Sequence, residues 1–143
     1  MCEVMDAHRR VKREFSTMTV FAVALVVVMA VFFGGMGVYG IVAPTSLVAP
    51  FGIAAGSGDA RNEVRAVYGG FGLAMACLLV STMSDLGSNR GMLITIGTAL
   101  LGMAAGRLVA CLWERPGHLY PVWFYFGIEV AGGGVLLLVA SIV

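Results

Sequence analysis

The chain has 143 residues, of which 59% are hydrophobic and 12% charged, with a formal net charge of +1. A soluble domain carries about 25% charged residues, so this composition excludes a disordered chain and argues against a water-soluble globule. The near-zero net charge also excludes a polybasic nucleic-acid binder.

In chain order, residues 1–17 form a basic tail in which Arg9, Arg10, Lys12 and Arg13 supply four of the nine basic residues. No charge then occurs from Met18 to Ala43. A bilayer crossing needs about 20 apolar residues at ~1.5 Å rise each, so a first span is predicted over about 18–42. The run is longer than the roughly 7–15 residues of a signal-peptide core. A retained signal-anchor helix is therefore expected. The segment Pro44–Gly58 is apolar but broken by Pro44, Pro50, Gly52, Gly56 and Gly58. It reads as an interfacial or re-entrant segment between helices 1 and 2.

A second span follows over about 61–83 and ends at the turn cluster Ser84–Arg90. The third runs over about 91–113, interrupted only by Arg107. The loop Arg115–Pro121 closes with a proline suited to a first helical turn. The fourth span covers about 122–143, interrupted only by Glu129. These runs are continuously apolar and do not alternate with period two, which favours helices over a barrel. The expected fold is an all-α integral membrane four-helix bundle, one transmembrane domain over 18–143.

The distribution of basic residues sets the orientation. The tail and the 84–90 loop face the cytoplasm, so both termini are expected to be cytoplasmic. Tyr39, Trp113, Tyr120, Trp123 and Tyr125 would then form an aromatic belt at the opposite interface.

This arrangement gathers charge at one level. Asp59, Arg61, Glu63 and Arg65 open the second helix, and Glu114 and Arg115 sit at the rim. Arg107 and Glu129 lie about 10 and 12 Å below it at ~1.5 Å per residue, which makes them the obvious pair. Charges within a bilayer cost about 2.5–3.5 kcal/mol each and face the bundle interior. Arg61 and Arg65 stand at the helix end disfavoured by the macrodipole. An acid or a lipid phosphate is expected to compensate them, with Glu129 and Glu114 as candidates.

Small residues surround these charges. Gly102 and Gly106 form a G-x-x-x-G before Arg107, Gly69 and Gly70 follow Arg65, and Gly132 and Gly133 follow Glu129. All six are read as helix-packing positions. The twenty glycines in the chain, about twice the usual ~7%, suit backbone-to-backbone helix packing.

The stretch Asn62-Glu63-Val64-Arg65-Ala66-Val67-Tyr68-Gly69-Gly70, followed by Gly106-Arg107 and then Glu129, resembles a family of small bacterial four-helix membrane proteins. That family is catalogued only as a domain of unknown function. There is also a distant similarity to the DoxX-like membrane proteins. The resemblance spans about residues 25–140. It implies a bacterial plasma (inner) membrane protein and a four-helix bundle whose polar positions include Glu63, Arg65, Tyr68, Arg107 and Glu129, and it implies no activity.

Three cysteines without metal or disulfide spacing read as apolar filler. His118 reads as a wet loop histidine, and no metal or cofactor is expected. No nucleophile–base pair, H-E-x-x-H motif or phosphate loop is present in the sequence, so no catalytic residue is assigned. The cluster Arg61, Glu63, Arg65, Tyr68, Arg107 and Glu129 is read either as a structural ion-pair network or as a headgroup-binding or proton-moving site.

Three functions stay open. The favoured one is a non-enzymatic accessory or scaffold subunit of a larger membrane complex. The second is a protein that binds a lipid or small apolar molecule, and the third is a small membrane enzyme or proton-coupled carrier. Expected partners are membrane lipids and other membrane subunits or further copies of this chain, not nucleic acid.

Overall fold

The computed structural model describes the backbone from Cys2 and the side chains from Thr17 to Val143. Arg9, Arg10, Lys12 and Arg13 of the expected tail lie outside the described side chains. Helix α1 runs Cys2–Val42, with its apolar part over Thr17–Val42. A short α2, Pro44–Val48, leads into a 3₁₀ turn, Ala49–Phe51. Helix α3 covers Gly58–Thr82 and contains a π-turn at Arg65–Gly70. Helix α4 is Arg90–Ala110. A π-turn, Leu119–Trp123, then opens into α5, Phe124–Ile142. No strand occurs among the described residues. Four of these helices are long and apolar enough to cross a membrane, and the chain is a multi-pass membrane protein with an all-α four-helix bundle.

Local chemistry sets two of the boundaries. The third span ends at Ala110, short of the expected Trp113, because Cys111, Leu112 and Trp113 tighten into turn bonds on Leu108, Val109 and Ala110. The second span starts at Gly58, earlier than expected, because the Ser57 hydroxyl accepts the Ala60 amide at 3.1 Å as an N-cap.

The bundle consists of two helix pairs. α1 lies along α3, α4 lies along α5, and contact between the pairs is thinner. Glycine sets both seams. A Cβ on Gly40 would stand 2.8 Å from the Gly69 amide nitrogen, and one on Gly72 would stand 3.0 Å from Gly37 Cα. In the second pair a Cβ on Gly133 would stand 2.8 Å from the Gly97 carbonyl oxygen. A Cβ on Gly132 would stand 2.6 Å from the terminal methyl of Met29 on α1.

Two of the expected packing glycines do not pack. Around Gly102 and Gly106 a Cβ would meet nothing within 4 Å. Their face of α4 turns away from the other helices, and Gly97, more than one turn earlier, carries the seam with α5. A Cβ on Gly70 would meet only the Arg65 carbonyl of its own helix, at an ordinary 3.8 Å.

The core occupies one end of the bundle. Val26, Leu79, Leu93, Leu136 and Val139 are fully enclosed there, beside the turn that joins α3 to α4. That turn is held by Asp85, whose carboxylate accepts the Ser88 amide at 3.1 Å and the Ser88 hydroxyl at 2.6 Å. At the other end, Leu47, Val48, Ala55 and Val64 form a smaller cluster under the α1–α3 connection. The expected interfacial segment therefore folds onto the bundle, with Leu47 and Val48 buried. The large apolar side chains left outward, such as Val28, Val31, Val80 and Leu138, suit contact with lipid chains.

Candidate functional site

Between the two helix pairs, at the end capped by the α1–α3 connection, lies a cavity of about 660 Å³. Every helix pair contributes to it. Phe33 and Met36 come from α1, Tyr68 and Phe71 from α3, Met103 from α4 and Ile128 from α5. Phe51 and Ile53, from the connecting segment, lie across it. Val67, Phe71 and Met103 are half exposed, so the cavity opens sideways between α3 and α4.

The walls carry one acid and one base, Glu129 and Arg107. Glu129 is 4% exposed. Arg107 Nε donates to Glu129 Oε2 at 2.9 Å and to Oε1 at 3.1 Å, and Nη2 donates to Oε1 at 2.8 Å. This two-pronged geometry is the strong form of a charge-assisted contact. The guanidinium carbon also stands 5.9 Å from the Phe51 ring and 5.8 Å from the Tyr125 ring. Within ~6 Å of a ring centroid a guanidinium gains from the ring's negative face. The two rings are themselves in contact, with centroids 5.3 Å apart. The cation is thus held by a carboxylate and two aromatic rings.

The remaining predicted polar residues do not join this pair. Arg107–Glu129 is the only ion pair among the described residues, so the expectation of an ion-pair network across the cluster is corrected to a single pair. Arg61 donates through Nη1 to the Gly56 carbonyl at 2.7 Å, and Arg65 through Nε to the Ile41 carbonyl at 3.1 Å. Backbone oxygens accept from them, in place of Glu129 and Glu114, the acids expected from the sequence. Ile41 lies in the last turn of α1, where orphan carbonyls and the negative end of the helix dipole favour a cation. Glu63 is exposed at the rim, as are Asp59, Glu114 and Arg115. Tyr68 is half-buried and lines the cavity.

The aromatic residues also divide. Tyr39, Trp113, Tyr120 and Trp123 are exposed, but Tyr125 turns inward onto Phe51 and Arg107. It belongs to the site, not to an outward belt. Sequence reading missed Phe51 and Tyr125. The phase of Tyr125 carried a signal, because it lies one turn before Glu129 and so shares its face of α5. Among the described residues no three His, Cys, Asp or Glu side chains come together as a metal site requires. Cys77 and Cys111 are free.

Residues 21–140 match the family described as domain of unknown function DUF4345. The chain belongs to the DUF4345 family. No curated protein and no solved structure matches it. The match covers the α1–α5 bundle almost entire, and the expected resemblance to a family of unknown function is met by DUF4345. Arg107, Glu129, Phe51 and Tyr125 of this DUF4345 chain all fall inside the matched range.

Proposed function

We propose that this chain is a membrane-embedded binding protein for a small amphipathic or apolar molecule. The observation that carries the proposal is the cavity of about 660 Å³ between the helix pairs, mostly apolar, with Arg107, Glu129 and the tyrosines Tyr68 and Tyr125 as its polar lining. Small-molecule sites are clefts of about 300–1,000 Å³ with mostly apolar walls and a few placed polar groups. A pair needed only for helix register would be served equally well by a closed seam, whereas this one stands on the wall of a space.

Native mass spectrometry of the protein from its own membranes tests the proposal. A retained small molecule or lipid is expected on the wild type and is expected to be lost in Ile128→Trp, which fills the cavity. Equal occupancy in the two proteins would refute the reading.

The accessory or scaffold subunit is kept as a second reading. It draws support from Gly102 and Gly106, which leave an open small-residue face on α4. Recovery of a stoichiometric larger protein in the same experiment supports it. Transport by this chain alone has less support, because among the described residues Arg107 and Glu129 have no charged counterpart inside the opposite half of the bundle.

The proposed location is a bacterial plasma membrane, as the resemblance to small bacterial membrane proteins implies, with both termini cytoplasmic on the strength of the basic tail and Arg90. Reporter fusions at both termini are expected to report cytoplasm, and one within 116–119 the opposite side. The reverse pattern would overturn the orientation.

A further inference from the structure

We infer that the ligand is an uncharged, single-chain amphiphile whose head accepts a hydrogen bond from Arg107 Nη1 and whose tail lies in the groove between α3 and α4. The inference rests on the binding reading above and gives that ligand a class and a pose.

The head follows from the charge balance of the wall. Among the described residues, Arg107 and Glu129 are the only charged ones lining the cavity, and they neutralise each other. An anionic head would bring a second negative charge beside the Glu129 carboxylate, which is 4% exposed and already paired with Arg107. A like charge brought close in a low-dielectric site is unfavourable. A cationic head meets the same objection from Arg107. An uncharged acceptor meets neither. Nε and Nη2 are committed to Glu129, whereas Nη1 has no partner among the described residues. Among the described residues no buried side-chain nitrogen or oxygen lacks a partner, so the unpaired Nη1 is accessible. A hydrogen bond to a charged donor contributes more than a neutral one, and a carbonyl, ester or hydroxyl oxygen suffices to accept it.

The tail follows from a second space. A groove of about 520 Å³ runs between α3 and α4 toward the Asp85 turn, lined by Met75, Leu78, Met92, Thr95 and Ala99. Phe71 lines both the groove and the cavity, and it is half exposed. One side chain therefore separates a head site from a lipid-facing channel of about 520 Å³. The thin contact between the helix pairs is what leaves this channel open. A two-chained lipid would have to leave one chain outside the groove.

The test uses a 1-acylglycerol with a mid-chain diazirine, added to the full chain in phosphatidylcholine nanodiscs, irradiated and mapped by peptide mass spectrometry. Labelling is expected at Phe71–Leu78 and Met92–Ala99, reduced about tenfold by excess 1-oleoylglycerol. Oleyl phosphate at the same concentration is expected to compete at least about tenfold less well, a difference of ~1.4 kcal/mol. The double variant Arg107→Leu/Glu129→Leu, which leaves no charge orphaned, is expected to lose the competed labelling. Ala99→Trp, on an exposed face of α4, is expected to shift it out of the groove while labelling inside the cavity persists. Competed labelling confined to the cavity would overturn the tail path and leave the binding reading standing. Stronger competition by oleyl phosphate would overturn the uncharged head. Absence of any competed labelling would overturn this inference, and an unoccupied wild type in the native spectrum would separately overturn the binding reading.

Discussion

Removing the Arg107–Glu129 pair in halves and then whole gives the sharpest prediction. Arg107→Leu leaves the Glu129 carboxylate without donors at 4% exposure. Breaking a buried pair from one side costs about 3–5 kcal/mol. Glu129→Leu leaves the guanidinium instead, and here the discount is larger. The Arg107 side chain is 23% exposed, and its contacts with the Phe51 and Tyr125 rings remain. Two such contacts retain about 1–2 kcal/mol, which brings the expected cost down to about 2–3 kcal/mol. The double leucine variant orphans nothing and is expected within about 1 kcal/mol of wild type. The two single losses then sum to about 5–8 kcal/mol against about 1 for the double, a coupling of about 4 kcal/mol or more. Unfolding in mixed micelles titrated with dodecyl sulfate, followed by helical circular dichroism, measures all four corners of the cycle. Neutral polar contacts between membrane helices average only ~0.6 kcal/mol. A measured coupling at that level would refute the assignment of this pair as a desolvated, mutually dependent unit.

Two further predictions follow. Gly40→Ala places a Cβ 2.8 Å from the backbone nitrogen of Gly69 and is expected to cost about 1–3 kcal/mol as an overpacked seam. Gly102→Ala meets nothing within 4 Å and is expected to be neutral or to stabilise by up to ~1 kcal/mol through helix propensity; equal losses in the same unfolding assay would overturn the assigned seams. At the α3–α4 turn, hydrogen bonds from the Ser88 hydroxyl and amide hold the Asp85 carboxyl below its ordinary range. A carboxyl lowered in the folded state adds stability above its unfolded value and loses it as pH falls through the folded one. Protection of the Ser88 amide against hydrogen exchange is therefore expected to decline below about pH 4 and to be low and flat with pH in Asp85→Ala. A decline in Asp85→Ala matching that of the wild type would assign the effect elsewhere.

The four spans were legible because a lipid-facing helix must be apolar along its whole length, and these runs are. The meeting of Arg107 and Glu129 was legible through rise per residue alone, since two charges at one depth in neighbouring helices have few other partners. Rotation about each helix axis was not legible. Lipid and a helix neighbour are equally apolar, so composition does not distinguish Gly97, which packs, from Gly102, which does not. Nor could composition point to Arg65 and the carbonyl of Ile41, because a backbone oxygen has no letter in a sequence. Tyr125 was read by depth, as a belt residue, whereas its neighbour Phe51 on a distant segment decides its direction.

The Arg107–Glu129 contact also constrains how the protein is made. Entering a bilayer singly, α4 carries an arginine and α5 a glutamate, and each opposes insertion by about 2.5–3.5 kcal/mol if carried to the bilayer centre. Side by side they carry no net charge. The helices joined by the 111–118 loop are therefore best released into lipid together, as a hairpin. Substitution of either residue would tax the nascent chain at the translocon before it affected the finished bundle.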